Sequence, residues 1–189
     1  MIRSHRSIWR TFRLALAAVG LGACAADSPT APMPPDASPA LLADLFKKQP
    51  LERDVSLRSD VTVRALIGSG GGRISLPGQG FTLIVPRGAV RNDTRFSVTA
   101  VAGTMVAYEF EPHGTTFRVP LVAIQDLNDT SYRLRLLSSL TAGYFESRTQ
   151  LFNLDGTVIL NELIPGILSP LTGRFSWPIE HFSGYIVAF

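Results

Sequence analysis

The sequence predicts an all-β protein, an antiparallel β-sandwich, and three observations carry that expectation. Short segments from about residue 55 onward alternate apolar and polar side chains with period two. Turn-forming pairs punctuate them at short intervals, and no long amphipathic helix interrupts the series.

Ahead of this region the chain divides into two further parts. Residues 1–23 combine Arg3, Arg6, Arg10 and Arg13 with a short apolar run, Leu14 to Ala23, and small residues before Cys24. A basic start, an apolar stretch of this length and small residues at the cut describe an export signal. The run is about half of the ~20 residues that a helix needs to cross a bilayer, which argues against a transmembrane anchor.

Leu21-Gly22-Ala23-Cys24 resembles a bacterial lipobox. The resemblance implies that the Cys24 thiol carries diacylglycerol and becomes the new N-terminus, tying the chain to a membrane. Ala25 at the following position implies an outer-membrane destination. Cys24 is the only cysteine, so no internal disulfide forms.

Loss of the leader changes the charge. Removing its four arginines from the 18 basic residues leaves 14 against 15 acids, a net of −1. The sequence pI of 9.4 therefore belongs to the leader, and no basic patch remains to favour nucleic acid.

Residues 24–54 open with "ADSPTAPMPPDASPA" after the cysteine, rich in proline and free of aromatics. Such a stretch buries too little to fold and reads as a spacer. "SPALLADLFKK" then predicts a short helix, with Ser38 as N-cap, Pro39 in the first turn, and Leu41, Leu42, Leu45 and Phe46 as its apolar face.

Residues 55–189 are expected to form the sandwich. "DVTVRALI", "RISL", "FTLIV", "RFSVTAV", "VAYEFE", "FRVPLVAI", "YRLRLL", "LFNL", "TVIL" and "GYIVAF" are the expected strands, with Phe81, Leu83 and Val85 on one face of "FTLIV". Turns are expected at Gly70 to Gly72, Pro77-Gly78, Asn92-Asp93, Gly103, Pro112 to Gly114, Asn128-Asp129, Asp155-Gly156 and Pro165-Gly166. The size suits one domain. The terminal "SGYIVAF" has the alternation of an outer-membrane barrel strand, but the other strands are too short and proline-broken for a barrel.

A longer pattern carries a family resemblance. "GGRISLPGQGFTLIVPRGAVRNDT", then "YEFEPHGTTFRVPL", then a closing "HFSGYIVAF", resemble the ZU-five domain of zonula occludens proteins, netrin receptors and ankyrins. The matching positions are Gly71, Gly72, Pro86, Gly88, Ala89, Pro112, Gly114, Phe117 and Pro120. The match covers residues 71–124 and 177–189, while 125–176 departs from the pattern. Pro86 ends a strand by removing a donor, and Gly88 accepts a turn conformation closed to other residues. Phe117 is expected to plug the core and Pro120 to mark an edge or a bulge. The resemblance implies a protein-interaction or scaffolding module.

Catalytic and metal patterns are sparse. "GSGGG" lacks the lysine of a phosphate-binding loop and reads as a turn before a strand. No Gly-x-Ser-x-Gly elbow is present, and only His113 and His181 follow the leader as histidine ligands. No cofactor and no metal are expected. His113 reads as a turn residue. A carbohydrate-binding sandwich is a further alternative, weakly supported because one of the two tryptophans, Trp9, lies in the leader.

"HFSGY" leaves two readings. Some members of the resembled family cut themselves within His-Phe-Ser, which implies His181 as general base and Ser183 attacking the carbonyl of Phe182. In the other reading the tripeptide is part of a strand, with His181 and Ser183 on one face and Phe182 in the core. The strand reading leads to the expectation of a lipid-anchored envelope module that binds or scaffolds, without turnover.

Overall fold

The computed structural model describes residues 44–134 and 138–189. The expected export signal, Cys24, the expected proline-rich spacer and most of the expected 38–48 helix lie outside the described residues. What is described is an all-β sandwich.

The strands are β1 (Lys47–Lys48), β2 (Glu52–Leu57), β3 (Val61–Ile67), β4 (Gly72–Leu76) and β5 (Phe81–Val85). They continue with β6 (Thr94–Ala100), β7 (Gly103–Met105), β8 (Ala107–Glu111), β9 (Thr116–Asp126) and β10 (Thr141–Phe145). The last are β11 (Val158–Ile159), β12 (Glu162–Pro165), β13 (Ile167–Ser169), β14 (Arg174–His181) and β15 (Gly184–Ala188). One sheet runs β12-β10-β15-β8-β6-β3 and the other β13-β14-β9-β5-β4, with two small ribbons, β1-β11 and β2-β7. Neighbouring strands pair antiparallel throughout.

The alternation expected of the strands places the core. Phe81, Leu83 and Val85 of β5 are all buried, and they face Phe96 and Val98 of β6 and Tyr108 and Phe110 of β8 in one cluster. Opposite faces of the six-stranded sheet are also used. Ile186 and Phe145 point away from the main core and pack with Leu151, Val158 and Leu160 in a smaller cluster. The segment from β10 to β12 thus folds back over the outer face of its own sheet.

Four expectations are corrected. "YRLRLL" begins not as a strand but as a 3-10 turn, Ser131–Leu134, and "LFNL" starts at the last residue of another, Arg148–Leu151, and is not a strand. The second turn has a local cause: the Ser147 side chain and the Gln150 side chain form a reciprocal capping box. Lys47 and Lys48 are strand, not helix, because they pair with Ile159 and Val158, and Leu45 is exposed. The core also begins before residue 55, since Leu51 is fully buried and its backbone bonds both Val187 and Val106. The glycine-rich turn is where the alternation placed it: Gly71 has φ +77, and a Cβ there would meet the Val85 carbonyl at 2.4 Å.

Candidate functional site

Strand β14 belongs to the five-stranded sheet and β15 to the six-stranded one, so His181-Phe182-Ser183 is the crossing between them. The crossing starts at a bulge. Ile179 pairs with Leu121 and His181 with Thr116, so one residue of β14 stands against four of β9. Such a mismatch bends a strand and lets it change sheets. Pro120 falls within that bulge, where no ladder donor is needed.

The tripeptide is therefore not one continuous strand, and His181 and Ser183 do not share a strand face. Phe182 is buried where it was expected. Its ring meets Phe96 and Phe117 edge to face, each at 4.8 Å, and stacks on Phe110 at 5.5 Å. Its backbone is held on both sides. The Phe182 N–H donates to the Thr115 carbonyl at 2.8 Å, and its carbonyl accepts from Gly114 at 3.1 Å. Next along, the Ser183 carbonyl accepts from the Phe110 N–H at 2.9 Å.

The two side chains that self-cleavage would need have other partners. Ser183 is buried, and its hydroxyl reaches the Phe145 carbonyl at 3.5 Å. His181 is half-buried against Tyr144, ring to ring at 5.0 Å, with its Nδ1 at 3.5 Å from the Tyr185 hydroxyl. That hydroxyl donates to the His181 carbonyl at 2.6 Å. Burial, and next the negative charge of Glu162, push the Tyr185 hydroxyl above its ordinary range and keep it a donor. Among the described residues no hydrogen bond joins His181 to Ser183. The Phe182 carbonyl does have a donor in Gly114, but the geometry brings no base to the serine.

His113 lies exposed in the turn between β8 and β9, as expected, near Arg64 and Arg95. No group of three or more metal-ligating side chains occurs among the described residues.

Sequence reasoning passed over Arg53. Period two along "LERDVSL" would bury Leu51, Arg53, Val55 and Leu57 together, and a charge on that face was the available signal. Arg53 is indeed buried, donating to the carbonyls of Val101, Met105 and Ala107, with its guanidinium 5.5 Å from the Tyr108 ring centre. Tyr108 in turn donates to Gln125 Oε1 at 2.6 Å, and burial pushes its hydroxyl up to about 12. Arg53 and Gln125 of this network line a cleft of about 660 Å³ together with Asp54, Gln79, Asn128 and Asp129.

A second polar cluster was equally hidden. Arg148 forks onto Glu109, with Nε to Oε1 at 2.7 Å, and its Nη2 also reaches Asp60 at 2.9 Å. Those partners lie 39 and 88 residues away in sequence. No protein-family model matches this chain, and no curated protein matches it in sequence.

Proposed function

We propose that the protein is a lipid-anchored cell-envelope module whose ZU-five-like sandwich binds or scaffolds another envelope component, without catalytic turnover. The observation that supports this reading best is the use made of His181, Phe182 and Ser183. Each is committed to the junction of the two sheets: Phe182 to the aromatic core, His181 to Tyr144 and Tyr185, Ser183 to the Phe145 carbonyl. Hydrolysis between Phe182 and Ser183 would need the serine aligned with a base and a distorted peptide. The anchor would be Cys24, the membrane an outer membrane, and the partner a protein or other envelope component rather than nucleic acid.

Denaturing mass spectrometry of the purified chain tests the choice. The expected result is one species running through Phe189. A fragment ending at Phe182, abolished by Ser183→Ala, would replace this reading with a self-cleaving module.

One observation favours a second reading, a carbohydrate-binding sandwich. The cleft beside Arg53 and Gln125 is lined by amides and carboxylates as well as by Val55 and Leu57, a mixed lining that suits a hydroxylated ring with polar edges and apolar faces. Calorimetric titration with soluble oligosaccharides checks it, and absence of heat at millimolar sugar argues against it.

A further inference from the structure

Among the large exposed apolar side chains of the described residues, Phe152 (66% exposed), Leu154 (110%) and Ile159 (41%) form one local group, with Leu45 (62%) exposed in the adjoining chain segment, while Val55, Leu66, Val119, Ile167 and Leu171 lie outside it. Phe152, Leu154 and Ile159 line one shallow depression with Asp44 and Lys47, the residues that flank Leu45 and Phe46 in the chain. Strand β1 ties the group together, because Lys47 pairs with Ile159 and the Phe46 carbonyl accepts from the Leu160 N–H at 3.0 Å.

The tip that bears Phe152 and Leu154 closes several of its polar groups on itself. Gly156 N–H donates to the Asn153 carbonyl at 3.1 Å, Asn153 Nδ2 to the Thr157 carbonyl at 2.8 Å, and Thr157 N–H to Asp155 Oδ1 at 3.1 Å. Lys47 and Asp155 pair with one another, and Asp44 adds one further carboxylate to the rim. A turn closed on itself loses few hydrogen bonds to water when it enters an apolar phase. Leu154 protrudes, and a protruding tip fits a surface that yields to it better than one that must already be shaped.

Position supplies the occupant. Asp44 opens the described domain, and Cys24 stands 20 residues before it. Twenty residues reach about 70 Å at most, so acyl chains on Cys24 hold this end within range of a bilayer at high effective concentration. We propose that this end of the domain is a membrane-contact surface, with Phe152, Leu154 and Ile159 entering the interfacial region of the phospholipid leaflet that holds the anchor. The proposal rests on the lipid-anchor reading of Cys24. Contact through several apolar side chains would fix how the domain stands on the membrane and turn the cleft above Arg53 to a defined direction.

The test uses the full chain, purified from a bacterial host and mixed with phosphatidylcholine vesicles whose acyl chains are brominated. Phe152→Trp places a reporter at the tip, while Trp177, fully buried, supplies a constant background. The expected result is loss of more than half of the emission that this substitution adds, relative to unbrominated vesicles, with a blue shift, both removed by adding Leu154→Asp. Quenching no greater than in the parent chain overturns the proposal, whether the patch stands free or is covered by residues before Asp44 or by a second copy. Acyl mass and vesicle flotation of Cys24→Ser report on the anchor separately. An acylated, floating chain without quenching sinks the contact surface alone. Quenching in a chain without acyl groups sinks the anchor and leaves the contact surface standing.

Discussion

Gly184 lies directly under the ring of Phe145: a Cβ added to the glycine would stand 2.2 Å from Phe145 Cε2. The two residues face each other across the ladder between β10 and β15, at the first residue after the sheet crossing. Phe145 is itself buried, so the ring has little room to retreat. Gly184→Ala should therefore destabilise the domain by about 1–3 kcal/mol, the usual range for overpacking. A double-mutant cycle with Phe145→Ala, read by urea unfolding, should recover part of that loss. Strict additivity of the two changes would disprove the contact.

Phe182 touches three other rings, and truncating it removes the centre of that group. Phe182→Ala should cost about 3–5 kcal/mol, a large share of the ~5–15 that holds a domain folded. Phe117→Ala, which removes one member from the margin, should cost less. Equal urea midpoints for the two variants would contradict the central placement of Phe182.

Arg53 gathers three carbonyls, of which that of Ala107 also accepts from the Val101 N–H at 3.0 Å. Arg53→Met keeps much of the apolar stem but leaves those acceptors without the guanidinium. A loss of about 2–4 kcal/mol is expected, since each buried unpaired group costs roughly 1–3. A variant as stable as the parent in denaturant would mean that water replaces the guanidinium without loss.

Alkali should weaken the fold. The Tyr108 hydroxyl, raised to about 12 by burial, binds its proton more tightly folded than unfolded. Its contribution is complete below the unfolded value near 10 and disappears as pH rises toward the folded one. Tyr185 is shifted in the same direction, also first by burial. Urea midpoints measured at pH 9 and 11 should fall, and less steeply in Tyr108→Phe. A midpoint independent of pH over that window would refute the buried, protonated tyrosines.

The anchor reading has its own check. Cys24→Ser should leave an exported but soluble or unprocessed chain. A variant that fractionates with membranes as the parent does would show that the lipobox resemblance misleads.

Period two along β5, β6 and β8 was legible because it is a local property. Successive strand side chains point to opposite faces, so Phe81, Leu83 and Val85 had to go inward together once any one of them did. Gly71 and Gly88 were legible for a similar reason, since their positive φ belongs to the turn itself. Alternation does not say which sheet a strand joins. That β14 and β15 lie in different sheets, and that His181-Phe182-Ser183 is the bridge between them, follows only from pairing with β9 and with β10 and β8. The same limit hid Arg53 and Arg148, whose partners lie tens of residues away, and it hid the two 3-10 turns within apolar runs. Inside and outside along most strands could be read from the residues, because that depends on backbone geometry over a few of them. Which side chains meet could not be read that way, because antiparallel pairing is a long-range choice settled by the whole core at once.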